Sequence, residues 1–248
     1  MSDAIVILSG ASRGLGSALA LAACRPGTLL VTLSRGEHPL LAQHARQQGC
    51  EHRHYAVDLS DPAQTEAVAR GLYADLPAGA ARYRLINNAG TVEPIAQAAT
   101  LDAASIAHAL HVNVAAAMLL TAAFLSAAPA RADRRVLNIS SGAGQHPMPG
   151  WSVYCATKAA LDMYTRTVKL EQQASGLRIA ALAPGVIDTP MQARIRATLP
   201  DAFPAVEDFK ELHRGGHLAA PADVAARILD YLERDDFGHT DIDDIRHY

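Results

Sequence analysis

Ala4-Ile5-Val6-Ile7-Leu8-Ser9 is an unbroken apolar, β-branched run, and Gly10-Ala11-Ser12-Arg13-Gly14-Leu15-Gly16 follows it directly. A continuous apolar strand of this kind is buried on both faces, as in a parallel sheet covered by helices. The glycines let the chain turn tightly, and a helical pattern runs from Ser17 to Cys24. A glycine turn between a strand and a helix brings backbone N–H groups and the helix dipole to bear on an anion such as a pyrophosphate. The spacing is G-x3-G-x-G rather than the longer G-x-G-x-x-G fingerprint.

Similar runs recur at Thr28–Ser34, Tyr55–Leu59, Leu85–Gly90, Arg135–Ser140 and Arg178–Ala183, separated by helical patterns. That alternation predicts βαβ units. The expected α/β fold is a single-domain, Rossmann-like, doubly wound parallel sheet of about seven strands with helices on both faces. It covers residues 1–248, with 191–216 as a mobile substrate lid lined by Met191, Ile195 and Phe209. A chain of 248 residues, 50% hydrophobic, can bury one large core.

Tyr154 and Lys158 lie four residues apart in a helical stretch, which puts phenol and ammonium on one face. A free phenol, with a pKa near ~10, is a poor acid or base at neutral pH, and a neighbouring cation lowers that value. Ser141 ends the apolar run Arg135–Ser140, where its hydroxyl can hold a carbonyl oxygen against Tyr154. Alone, a Tyr-x3-Lys pair is ordinary helix surface. Beside a dinucleotide turn it reads as a proton-transfer site awaiting a hydride donor.

The strand Thr28–Ser34 ends at Arg35, and Arg13 sits inside the glycine turn. A carboxylate at that strand end binds the ribose 2′-hydroxyl of NAD, whereas arginine accommodates a 2′-phosphate. Two guanidiniums converging there favour NADP(H) as cofactor. Asp58 closes the run Tyr55–Leu59, where its carboxylate faces the adenine amino group. Asn87-Asn88-Ala89-Gly90 breaks a strand into small residues that permit close backbone approach.

In order and spacing, Gly10-x3-Gly14-x-Gly16, Asn87-Asn88-Ala89-Gly90, Asn113, Ser141, Tyr154-x3-Lys158 and Pro184-Gly185 resemble the short-chain dehydrogenases/reductases, from Ala4 to about Met191. Ser9 stands where that family usually has threonine and keeps the hydroxyl. The resemblance implies that Tyr154 is the general acid in reduction and that Ser141 orients the substrate oxygen. Lys158 lowers the tyrosine pKa and holds the nicotinamide ribose, while Asn113 anchors a proton-relaying water. It implies cofactor contacts from Gly10, Ser12, Arg13, Gly14, Leu15, Gly16, Arg35, Asp58, Leu59, Asn88, Ala89, Gly90, Tyr154, Lys158, Pro184, Gly185, Ile187 and Thr189. The helix after Asn113 and the one after Trp151 usually form the oligomer interface, so a homodimer or homotetramer is expected.

Gly150-Trp151-Ser152-Val153-Tyr154-Cys155, Pro184 to Gln192 and Gly90 to Ile95 are similar to the sepiapterin reductase and benzil reductase branch, which reduces vicinal dicarbonyls with NADPH. Trp151 and Met191 are the substrate candidates. Trp151 reads either as a pocket-rim residue stacking on an aromatic substrate or as packing against a neighbouring loop. The acidic tail resembles the place where sepiapterin reductases keep a pterin-binding aspartate. Other alcohol/ketone pairs, such as a 3-oxoacyl thioester or a steroid, are the alternative substrates. A non-catalytic dinucleotide-binding scaffold is the alternative from another class.

A net charge of −3 with scattered arginines gives no attraction to nucleic acid or anionic membrane. Val112–Ala130 is uncharged but contains Asn113, Thr121 and Ser126, and reads as a buried helix rather than a membrane span. A first strand at residue 4 leaves no room for a cleavable signal, and an odd count of three cysteines without metal-ligand spacing suits a reducing cytoplasm. Cys155 reads as a small packing residue turned away from the phenol. His52-x-His54 is completed by no further ligand at metal spacing, so the pair reads as a solvated strand start and no metal is expected.

Overall fold

The computed structural model describes residues 2–77 and 79–248. Seven strands form one parallel sheet: β1 Ala4–Ser9, β2 Thr28–Ser34, β3 Glu51–Ala56, β4 Arg82–Asn87, β5 Asp133–Ile139, β6 Arg178–Ala183 and β7 Ile242–Asp244. Their order is β3-β2-β1-β4-β5-β6-β7, so the chain reverses its winding between β1 and β4. The helices are α1 Gly14–Ala23, α2 Leu41–Gln47, α3 Pro62–Leu72, α4 Ala103–Leu110, α5 Ala116–Ala127, α6 Ser152–Glu171, α7 Pro190–Arg196, α8 Val206–Arg214 and α9 Pro221–Glu233.

Period-two alternation sorts the strand residues between two cores. Val6 and Leu8 of β1, with Leu137 and Leu182, pack under α1 and α9. Ile5 and Ile7, with Val136 and Ile179, pack under α3, α5 and α6. Each central strand contributes to both, which is why it reads as a continuous apolar run instead of an alternating one.

Ala103–Ala127 is long and apolar enough to cross a bilayer. It is interrupted by a π turn at His111–Ala115, and Asn113, Leu120, Thr121 and Phe124 are buried in the protein. It serves here as a core helix.

The two edges of the sheet differ. At the strand starts, Arg84, only 1% exposed, is bound by Asp133 and Glu233 at 2.8 Å each. Burial alone would raise Asp133, but bonds from Arg135 and Arg178 and the charge of Arg84 hold it well below the usual carboxylate range. This cluster ties α9 to β4 and β5. Because every strand is parallel, all the connections that leave the strand ends fall together on the opposite edge, which in open α/β sheets is where ligands bind.

Two local readings change. The strand expected to close on Asp58 ends in β3 at Ala56, although Val57 N still donates to Ser34 O. His52 Nε2 and His54 Nδ1, expected as a solvated strand start, are half-buried and both bond Thr32 Oγ1, at 2.9 and 3.1 Å.

Candidate active site

The turn after β1 is shaped by close backbone contact. Gly10 has φ +73°, and a Cβ there would stand 2.7 Å from Ala89 Cα. A Cβ on Gly16 would overlap the carbonyl oxygen of Gly10. Asn88 fastens this turn to the end of β4: its Nδ2 donates to the carbonyls of Ser9 and Gly10, each at 3.1 Å. Ser9 Oγ accepts from the amides of Asn88 and Ala89. Asn88, expected to touch the cofactor, therefore has both amide protons committed to holding the turn.

Helix α1 begins at Gly14, with Arg13 at its N-cap and no side-chain capping bond. Its first turn carries no acidic residue. Leu15 is buried, Ser12 half-buried and Arg13 exposed. Unfilled N–H groups at a helix start, reached through a glycine cradle, suit a pyrophosphate. A Cβ on Gly14 would lie 3.4 Å from Thr189, so the turn after β6 closes against the turn after β1.

Arg35 is exposed beyond β2. Neither its guanidinium nor that of Arg13 forms a hydrogen bond or ion pair with another protein group among the described residues. Asp58 is half-buried, and its Oδ1 accepts from the amide and hydroxyl of Ser60, which hold its pKa down with help from the charge of Arg35. The carboxylate expected to face adenine is thus partly engaged by its own turn. Leu59 beside it is buried.

After β6, Ala219 N donates to Val186 O and Asp188 N to Ala219 O. This parallel bridge is centred on Ile187. It leaves the amide and carbonyl of Ile187 on the opposite edge with no protein partner among the described residues, a donor–acceptor pair suited to a carboxamide. Pro184 and Gly185 precede it, and Arg246 lies 3.8 Å from a Cβ on Gly185.

Asn113 sits in the π turn, a distortion frequently found at functional sites. Its Oδ1 accepts from Thr91 N at 2.8 Å, and its Nδ2 donates to Thr91 O and Thr157 Oγ1. Both Nδ2 protons and one acceptor position of Oδ1 are thus used within the protein, and the second lone pair of Oδ1 has no protein donor among the described residues. A Cβ on Gly90 would be 3.5 Å from Asn113 Oδ1 and 3.9 Å from Lys158 Nζ, which puts the end of β4, the π turn and α6 at one place.

Tyr154 and Lys158 are buried on the same face of α6. Lys158 Nζ donates to Ile139 O at 2.7 Å and lies 5.7 Å from the Tyr154 ring centre. Ser141 leaves β5 one residue after Ser140, and its Oγ accepts from Ala143 N. In the chain alone, burial pushes the Tyr154 phenol up to about 12, opposed by the hydroxyl of Ser141. Burial also lowers Lys158 to about 8. Spacing revealed the pairing but not the desolvation, which dominates.

The chain's own groups therefore keep the phenol protonated at neutral pH, as a proton donor requires. If the Lys158 ammonium is needed, reduction should fall off as pH rises through about 8. A kcat/KM–pH profile checks this, and a rate that stays level well beyond that limb would contradict it.

Trp151 is buried beside Tyr154, their ring centres 5.3 Å apart at 72°. Its face stacks on Phe203 at 4.7 Å and its edge meets Phe209. Of the two readings of Trp151, the packed one describes this structure, and the stacking face is occupied from within the chain. Its Nε1 is buried without a hydrogen-bond partner. Met191 and Cys155 pack against this same cluster with Val92, Ile95 and Ile195. Cys155, expected to be turned away, thus shares the cluster that holds the phenol. Phe203 lies in a segment without periodicity or motif, whereas Thr91 and Thr157 fall inside recognised stretches, Gly90 to Ile95 and Tyr154-x3-Lys158, that did not single them out.

The acidic tail is engaged elsewhere. Asp243 Oδ2 accepts from the hydroxyls of Tyr231 and Tyr248, Asp241 pairs with Lys169, and Asp244 with Arg246.

Comparison with known proteins agrees with this geometry. The short chain dehydrogenase family model matches residues 4–200. The benzil reductase ((S)-benzoin forming) of Bacillus cereus is 36% identical over 236 residues, 94% of this chain and 95% of that protein. The sepiapterin reductase of Xenopus laevis is 34% identical over 249 residues, 95% and 92% of the two chains. A short-chain dehydrogenase from Sphingobium yanoikuyae, solved with NADPH, superposes with a TM-score of 0.77 at 25% identity, covering 97% of this chain and 86% of that one. With a shared fold, an ordered set of turns and a buried Tyr154–Lys158 pair, this chain belongs to the short-chain dehydrogenase/reductase family of oxidoreductases acting on CH–OH and C=O groups.

Proposed function

We propose that this chain is an NADPH-dependent carbonyl reductase acting on ketones that carry a second, adjacent carbonyl. The observation that carries the reading is a buried Tyr154 phenol near Lys158, in an apolar cluster on the same sheet edge as the glycine turn. When bound, the nicotinamide supplies hydride to the carbonyl carbon. Gly10, Gly14 and Gly16 admit the pyrophosphate to the start of α1, the backbone of Ile187 takes the carboxamide, and Lys158 holds the nicotinamide ribose. Tyr154 Oη donates a proton to the substrate oxygen as negative charge develops there, and Ser141 Oγ steadies that oxygen. The relative named for benzil, a 1,2-diketone, supports a dicarbonyl substrate. NADPH consumption against benzil, small diketones, sepiapterin and 3-oxoacyl thioesters tests this. Turnover of thioesters alone would replace the dicarbonyl assignment.

The preference for NADPH rests on Arg13 and Arg35, whose guanidiniums have no protein partners among the described residues, and on the absence of a carboxylate at position 35. A guanidinium–phosphate bond is worth roughly 1.5–3 kcal/mol. Arg35→Ala is accordingly expected to weaken NADPH at least about tenfold while changing NADH by less than about twofold. Equal losses for both, measured by calorimetry, would remove the arginine's assigned role. Residues 191–216, which supply α7, Phe203 and α8, act as the lid over the substrate. The exposed apolar Met163 and Leu170 on α6, with Leu110 at the end of α4 where the helix runs on through the π turn into α5, support association of like chains through α5 and α6.

A further inference from the structure

Behind the Tyr154–Lys158 pair lies a carboxylate that the reaction described above does not use. Asp162 follows Lys158 by one turn of α6 and Tyr154 by two, so the three share a face. It is 4% exposed. Its Oδ1 accepts a short hydrogen bond, 2.5 Å, from Ser140 Oγ. Its Oδ2 is buried with no hydrogen-bond partner among the described residues. The turn bearing Ser141 closes over that oxygen, and a Cβ on Gly144 would stand 2.7 Å from it.

A buried carboxylate with an unfilled oxygen is costly unless a positive charge compensates it. Two cations act on it: the Lys158 ammonium and the guanidinium of Arg166, which is exposed. Conversely, Asp162 is the one charged group acting appreciably on Lys158. The hydroxyl of Ser140 faces the carboxylate from the turn after β5, and among the described residues no other charged side chain acts appreciably on either member of the pair.

We propose that Asp162 is a positioning residue for the reaction: its carboxylate is the counter-charge of the Lys158 ammonium and, through Ser140, anchors the turn that presents Ser141. This rests on the reading of the site as a reductase working through Tyr154 and Lys158. Burial pushes Lys158 down and Asp162 up, and each charge opposes that trend in the other. Losing the carboxylate leaves burial of the ammonium unopposed, so Lys158 releases its proton at lower pH.

The test is the pH profile of kcat with saturating NADPH and benzil for the parent protein and Asp162→Asn, an isosteric change that removes only the charge. The alkaline limb is expected to move down by about one pH unit, while the NADPH dissociation constant, read by fluorescence, changes less than about twofold. A limb that does not move, or a loss of rate that is uniform across pH, overturns the proposal and leaves Asp162 a packing group. The ionisation of Asp162 in the unmodified, aspartate-labelled protein, followed by carbon-13 chemical shift, decides the matter independently of turnover. The carboxylate is expected to be charged throughout the range below the Lys158 limb, and a carboxyl that stays protonated there overturns the proposal even if the Asn variant does not fold. Absence of any NADPH-linked reduction by the parent protein would instead count against the reductase reading, and the carbon-13 result would still stand.

Discussion

Tyr154→Phe is expected to reduce carbonyl turnover by about 100- to 10,000-fold, the usual contribution of a positioned general acid. NADPH binding should be spared, because the ring remains and only the hydroxyl is lost. The ring packs edge-on against Trp151 and within an apolar cluster that the hydroxyl does not build. Removing a buried hydroxyl whose charged form burial disfavours should leave stability nearly unchanged. Steady-state kinetics together with NADPH fluorescence titration separate the two effects. A Phe variant that turns over at the parent rate would end the assignment of Tyr154 as proton donor.

Gly16→Ala is expected to damage cofactor binding at its scaffold. The added methyl would overlap Gly10 O and stand 2.5 Å from Asn88 Nδ2, so the backbone of the turn itself must move. Overpacking of this kind destabilises by roughly 1–3 kcal/mol. The N–H groups at the start of α1 would leave their positions, and we expect NADPH affinity to fall by about 100-fold. Gly71→Ala in α3 is the control, since nothing lies within 4 Å of a Cβ there. Urea denaturation and calorimetry read both effects, and parent-like affinity in Gly16→Ala would show that the turn does not hold the pyrophosphate.

What could be read from the sequence follows from the physics of each element. The strands Thr28–Ser34 and Arg178–Ala183 have the bounds their apolar runs gave, because a parallel strand buried on both faces has no polar position to blur it. The start of α1 was less legible. The helix begins at Gly14, whose φ of +57° and closeness to Thr189 depend on a turn far along the chain. Nothing in the sequence around Arg84 marks it as buried, and it is buried because its partners Asp133 and Glu233 come from β5 and α9. Asn113 looks like a polar residue in an apolar helix, and the π turn that aims it at Thr91 and Thr157 has no mark in composition.

The site shows the same division. Tyr154, Lys158 and Ser141 were visible as spacing, which fixes a helix face but not the dielectric around it. In the chain alone, burial within the apolar cluster raises the Tyr154 phenol, a contribution that spacing could not reveal. Phe203 stacks on Trp151 from a loop without pattern, so no periodicity could have placed it. Asp162 was within reach of the same i, i+4 argument that found Lys158, but only the fold brings Ser140 to its other oxygen.

The central claim is that a proton from Tyr154 and a hydride from a bound dinucleotide reach the two ends of one carbonyl. Reducing benzil with NADPH deuterated at the transferring ring carbon tests it most directly. Deuterium should appear on the carbinol carbon of the product, with Tyr154→Phe forming little of it. Product carrying no deuterium, or none formed by the parent protein from any dicarbonyl, would contradict it.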